Sequence, residues 1–167
     1  MNLNKSIINE IFTDANNDPL LCSKLDINNI IGSINDEKHG YLINKNLKSI
    51  AHEIVEKLHS LKGIIADDIP IFCDKLKDYF LVTNLTEFRK SHNIKYIKKG
   101  DTKLQYGGFL LDIKPSESGF NLLLLTFGKR IIQVKLNDCI FFQKLSDDEK
   151  LILISLEYLE KFEKNIK

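Results

Sequence analysis

Apolar residues recur along this chain with two different periods. Near the start, Leu3, Ile7, Ile8, Ile11 and Phe12 repeat at helical spacing and predict a short amphipathic helix. The Asn- and Asp-rich run from Asp14 to Pro19 ends it, because proline cannot continue a helix. From Leu20 to Ile43 the apolar residues Leu25, Ile27, Ile30, Ile31 and Ile34 suit a helix, while Gly32, Gly40 and the polar run Asn35 to Lys38 argue for loops around it. The next helix is clearer. Leu47, Ile50, Ala51, Ile54, Leu58 and Leu61 define a single apolar face, and Gly63 is its natural stop. Another helix is predicted from about Asp68 to Leu81, with Pro70 in its first turn and Ile69, Phe72, Cys73, Leu76, Tyr79 and Phe80 as its stripe. A short one follows, with Thr86 as N-cap.

After His92 the period falls to two. Ile94, Tyr96 and Lys98 alternate with Lys95, Ile97 and Lys99, and Lys99 to Asp101 forms a turn. Thr102 to Ile113 reads as a strand interrupted by Gly107 and Gly108, a pair that predicts a bulge or sharp bend. Lys114 to Gly119 is a surface turn. Phe120 to Phe127 is almost continuously apolar and predicts a central strand covered on both faces. Gly128 and Lys129 turn the chain into Arg130 to Leu136, where Ile132, Val134 and Leu136 share a face opposite Gln133 and Lys135. Asn137 and Asp138 lead into a last strand, Cys139 to Gln143. Ser146 and Glu149 then have the spacing of a capping box, opening an amphipathic helix through Leu151, Ile152, Ile154, Ser155, Leu159, Phe162 and Ile166.

These elements predict an α+β chain: N-terminal helices over residues 1–92, a small antiparallel β-meander or SH3-like barrel over 93–145, and a C-terminal amphipathic helix over 146–167 packing on the rest. The barrel is an analogy of fold and carries no function with it. A length of 167 residues, 43% of them hydrophobic and 28% charged, is enough for one compact core without disulfide or metal support. Cys22, Cys73 and Cys139 are odd in number and lie beside apolar neighbours, which suits buried thiols in a reducing compartment. No apolar run approaches the roughly 20 residues that span a bilayer, and the N-terminus lacks the apolar core of a secretion signal. The expected setting is therefore intracellular and cytoplasmic. The wealth of lysine, isoleucine and asparagine is the bias of an AT-rich coding genome, such as that of a large DNA virus, some bacteria or some protists, a host cell being the setting if the source is viral.

Charge is what distinguishes the β segment. The chain carries +1 overall, yet Phe88 to Lys144 alone carries +7, against −4 before it and −2 after it. Lys95, Lys98, Lys99, Lys103, Lys129, Arg130 and Lys135 supply most of this, with Lys144 beyond them, and Tyr96, Tyr106, Phe109 and Phe127 are interleaved. Cationic strips with stacking aromatics bind nucleic acid. Against that reading stand the scarcity of arginine and the expectation that most of these aromatics belong to the core.

Other chemistry is weaker. His52, Glu56 and His59 share a helix face at i, i+4 and i+7 and are a candidate metal-ligand set, although a zincin helix requires histidine where Glu56 stands. Gly107 and Gly108 lack the lysine and helix start of a phosphate loop. No cofactor motif and no catalytic motif is present. The leading expectation is thus a non-enzymatic protein-interaction or assembly module, using a helical platform and the basic β unit against a partner with an acidic surface. A nucleic-acid-binding module and a small metal-dependent enzyme are the alternatives.

Overall fold

The computed structural model describes residues 37–165. The first predicted helix, the turn after it, Cys22 and most of the ambiguous 20–43 stretch lie outside the described residues. Within them are three α-helices, α1 Leu47–Ser60, α2 Ile69–Lys75 and α3 Asp147–Asn165, and six strands, β1 Tyr79–Leu81, β2 Asn93–Lys98, β3 Leu104–Ser116, β4 Gly119–Leu125, β5 Ile131–Lys135 and β6 Cys139–Lys144. The fold is α+β. The described residues fall into two compact units, Ile50–Leu145 and a unit that joins the residues before Ile50 to those from Ser146 onward. No helix among the described residues is long and apolar enough to cross a membrane.

Helix α1 begins where Asn46 and Ser49 cap each other: Asn46 Oδ1 accepts from the Ser49 amide at 2.8 Å, and Ser49 Oγ accepts from the Asn46 amide at 2.9 Å. Its buried face is narrower than the predicted stripe, comprising Ile50, Ile54 and Leu58. Gly63, at φ +94°, takes the left-handed conformation just beyond the helix end.

The predicted helix from Asp68 to Leu81 is divided. A 3-10 turn, Ala66–Asp68, leads into α2, with Pro70 in the first turn as expected. The helix ends at Leu76, whose amide reaches Phe72 O and Cys73 O, and Tyr79 to Leu81 becomes a strand paired with Phe142 to Lys144 of β6. All three strand residues are buried. Burial on both faces of a sheet overrides the local helical period, and aromatic side chains suit that pleated surface. The short helix assigned to a Thr86 cap is likewise a 3-10 turn, Leu85–Glu87, capped two residues earlier at Asn84. There the Glu87 carboxylate accepts from the amides of Thr83 at 2.7 Å and Asn84 at 3.1 Å.

All neighbouring strands are antiparallel, in the order β1-β6-β2-β3-β4-β5. The sheet stays open, with β1 and β5 as its edges, so the barrel expectation is not met. The edge strand β1 comes from the segment read as helical and takes the outer side of β6. One face of the sheet carries a core of Ile94, Tyr96, Leu110, Leu122, Leu124 and Val134, with Phe88 packed edge-on against Phe141 at 5.7 Å. Fully buried Gln143 ties the 87–89 segment to this face, its Oε1 accepting from the Arg89 amide at 2.8 Å and its Nε2 donating to Glu87 O at 3.1 Å.

The glycine pair does form a bulge. Ile94 lies opposite Gly108 and Lys95 opposite Tyr106, which leaves Gly107 as the extra residue. Gly108 sits at φ +96°, and a Cβ there would stand 2.0 Å from Leu125 O. A second register shift falls at Leu111. Strand β3 also runs on through the predicted 114–119 turn, pairing Pro115 with Phe120 and leaving only Glu117 and Ser118 as the loop. Proline is tolerated because β2 pairs with β3 no further than Phe109, so β3 has a single ladder neighbour at Pro115. Strand β4 is covered unevenly: Leu122 and Leu124 are buried on the core face, while on the other face Asn121 is buried and Leu123 and Leu125 are half-buried.

In the other unit the capping box at α3 forms as expected, the Ser146 amide donating to Glu149 Oε2 at 2.6 Å and the Glu149 amide to Ser146 Oγ at 3.1 Å. Leu151, Ile152 and Leu153 are all buried, so coverage here is wider than one stripe. Glu149 itself is 1% exposed, with the Tyr41 hydroxyl donating to its Oε1. Burial pushes its carboxyl up to about 7, opposed by the Ser146 amide.

Two outcomes follow from this packing. Gly108→Ala should destabilise the chain by at least about 2 kcal/mol in denaturant unfolding, since both the positive φ and the approach of Leu125 O forbid a Cβ. Glu149 binds its proton more tightly folded than unfolded, so its favourable contribution is complete below about pH 4.5 and is lost as pH rises through about 7. Glu149→Gln, which retains capping ability, should therefore flatten the fall in melting temperature between these pH values.

Candidate functional site

The basic residues of the β unit do not converge on one patch. Lys95 is 8% exposed and lies on the face of β2 opposite Tyr96. Its Nζ donates to Lys75 O at the end of α2 at 2.6 Å and stands 4.3 Å from the Tyr79 ring centre and 4.9 Å from that of Tyr106. Burial holds its ammonium below the usual lysine range, helped by the charges of Lys144 and Lys75, while the two rings offset part of the cost. The same burial pushes the Tyr79 hydroxyl up to about 12. Lys95 joins α2 to the sheet.

Lys98, Lys99 and Lys103 are exposed around the β2–β3 turn, with Lys99 Nζ donating to Asn137 O at 2.5 Å. Lys129 and Arg130 occupy the exposed β4–β5 turn, Lys129 at φ +58°. Lys135 stands at the far end of β5. The register places it opposite Asn121 and places Asn121 opposite Lys114, so a Lys–Asn–Lys row crosses the sheet on the face away from the core cluster. Asn121 is buried in this row, and its Oδ1 has no hydrogen-bond donor among the described residues.

That second face is what the sequence reading missed. At the β2–β6 end it is covered, with Ile97 and Phe142 fully buried. Across β3, β4 and β5 it is more exposed, Asn121 apart. Phe109, Leu125 and Ile131 stand in one cross-strand row, and Asp112, Leu123 and Gln133 in the next. Phe127 leans on Phe109 edge to face at 5.9 Å and is 69% exposed, while Ile131 is 64% exposed. Tyr106 and Leu111 are exposed as well. Of the four interleaved aromatics, only Tyr96 belongs to the core. Lys90 flanks the face through an ion pair with Asp112 at 2.8 Å, which holds the Asp112 carboxyl below its usual range. The signal available in sequence was the glycine bulge. It shifts alternation by one, so that Tyr106 and Phe109, three positions apart, land on the same face.

The remaining candidates stay apart. His52 Nε2 lies 3.2 Å from Glu56 Oε1 on the open side of α1, both side chains about two-thirds exposed, and His59 is exposed a turn later. No three His, Cys, Asp or Glu side chains among the described residues come together to hold a metal ion. Cys73 and Cys139 are free, and burial pushes both thiols up, away from the thiolate form that reacts.

No protein-family model, curated protein or solved structure matches the chain.

A structural role for Lys95 has a measurable signature. In Lys95→Met the retained stem and the lost Lys75 contact should leave stability within about 1 kcal/mol of the wild type near neutral pH. The penalty for the buried charge is full at neutral pH and disappears as pH rises towards 10.5, so the wild type should gain stability relative to the variant over the alkaline range in paired unfolding experiments.

Proposed function

We propose that this chain is a non-enzymatic interaction module whose working surface is the open face of β3, β4 and β5, and that its partner is a protein with an acidic rim around an apolar centre. The observation that carries this reading is the exposed pair Phe109 and Ile131 on either side of Leu125 in one cross-strand row, with exposed Phe127 edge to face on Phe109. An apolar patch rimmed by charge favours association, since burying it releases water while the rim selects by sign. Lys114 and Lys135 lie at one end of the face, and Lys129 and Arg130 at the other. Aliphatic and aromatic side chains contribute together, which suits a protein surface better than a file of stacked bases.

A second reading has one specific observation in its favour. Three of the four interleaved aromatics are exposed, and exposed rings beside lysines are what a single-stranded nucleic acid requires.

The two separate in one experiment. A partner retained by the full chain from cells of its source should survive nuclease treatment, bind at least about tenfold more weakly to a Phe127→Ser, Ile131→Ser variant, and weaken with added salt. Both substitutions are at exposed positions, so the variant's unfolding midpoint should barely move. Retention by the variant at full strength would remove the open face from the account. Loss of binding after nuclease treatment would favour nucleic acid.

A further inference from the structure

The Ile50–Leu145 unit also holds a pocket of about 390 Å³, at the place where β1 stops short. β1 pairs with β6 only as far as Phe142, and the Val82 amide donates to Phe141 O at 3.0 Å before the chain turns away. Beyond that point the Cys139 end of β6 has no β1 residue beside it. The gap is walled by the 83–88 loop and by the 3-10 turn Leu136–Asp138. Val82, Leu85, Phe88, Leu136, Ile140 and Phe141 supply its apolar lining.

Two lysines complete the pocket, Lys57 from the last turn of α1 and Lys99 from the β2–β3 turn, and no aspartate or glutamate lines it. Lys99 is fixed at the rim by its bond to Asn137 O, which uses one of its three N–H donors. Lys57 has no ion-pair partner among the described residues. Two acids flank the lining without entering it: Asp138, between Asn137 and Cys139, and Glu87, which is buried with its carboxylate accepting from the amides of Thr83 and Asn84. Thr83, Asn84 and Asn137 add uncharged polar lining, and a mixed slot whose only charged lining side chains are lysines suits a ligand with an apolar body and an anionic end.

We infer that this pocket takes a small organic carboxylate with an apolar body, its carboxylate between Lys57 and Lys99 and its hydrocarbon against Leu85, Ile140 and Phe141. This goes beyond the docking reading and uses none of the side chains of the open face.

The test is a titration of the full-length, nitrogen-15-labelled chain with octanoate, and in parallel with octylammonium, both below their micellar concentrations. Octanoate should shift the amides of Val82 to Phe88 and Leu136 to Phe141 saturably, and octylammonium should not. The Lys57→Met, Lys99→Met double variant should bind octanoate at least about tenfold more weakly, and Lys57→Met alone, which leaves the Asn137 contact intact, about threefold more weakly. Unmoved amides at these positions would overturn the assignment. So would equal binding of the two amphiphiles, or an unaltered affinity in both variants. The Phe127→Ser, Ile131→Ser variant should bind octanoate as the wild type does, so failure of the pocket and failure of the docking face are told apart.

Discussion

The close approach of the β3 backbone to its neighbours at Gly107 and Gly108 is the constraint on which the rest of the sheet depends. A Cβ on Gly107 would lie 2.6 Å from Leu124 Cδ1 and 3.0 Å from Ile94 O, and one on Gly108 would lie 2.0 Å from Leu125 O. Only glycine lets β2 and β4 approach β3 so closely on its two sides, and only glycine accepts the left-handed φ at Gly108 without strain. The extra residue lodged there changes which face the following side chains of β3 occupy, as far as the second register shift at Leu111. Leu110 thereby enters the core with Leu122 and Leu124, while Tyr106 and Phe109 share the open face. One backbone feature thus closes the core and creates the exposed patch.

The same geometry separates net charge from surface charge. A segment charge of +7 invites the picture of a single cationic surface, but strands distribute consecutive residues over two faces and turns carry others to the ends. Lys95 illustrates the first effect. It occupies the covered part of the second face, where the α2 carbonyl and two tyrosine rings hold it. Lys114 illustrates the reverse: read as part of a turn, it belongs to a strand and forms a row with Asn121 and Lys135. What remains accessible is an apolar row of Phe109, Leu125 and Ile131, a mixed row of Asp112, Leu123 and Gln133 beside it, and basic residues at the margins.

Much of the fold was legible. The period-two stretches gave β2, β5 and β6 nearly to the residue, α1 followed from Ile50, Ile54 and Leu58, and the capping box at Ser146 and Glu149 fixed the start of α3. The misreadings share a cause, which is that local period does not record what a partner strand demands. Tyr79 to Leu81 continue the helical stripe of α2 in sequence, yet the edge of β6 recruits them. Phe120 to Phe127 look equally buried on both faces because the run is almost uniformly apolar, yet cover over β4 is uneven, complete at Leu122 and Leu124 and partial at Leu123 and Leu125. The candidate surface was the least legible part. Exposure of Phe109 and Phe127 depends on the bulge and on the absence of a covering layer over β3 to β5 among the described residues, and neither is written in the composition.

The aromatic rings of the β unit thus divide into a dry set and a wet set. Broadening of the aromatic proton signals by a soluble nitroxide measures this directly on the free, dilute chain. Tyr106, Phe109 and Phe127 should be strongly broadened, while Tyr96, Phe141 and Phe142 stay sharp. Phe109 and Phe127 as well protected as Phe141 would contradict the account, because the face on which it depends would then be covered.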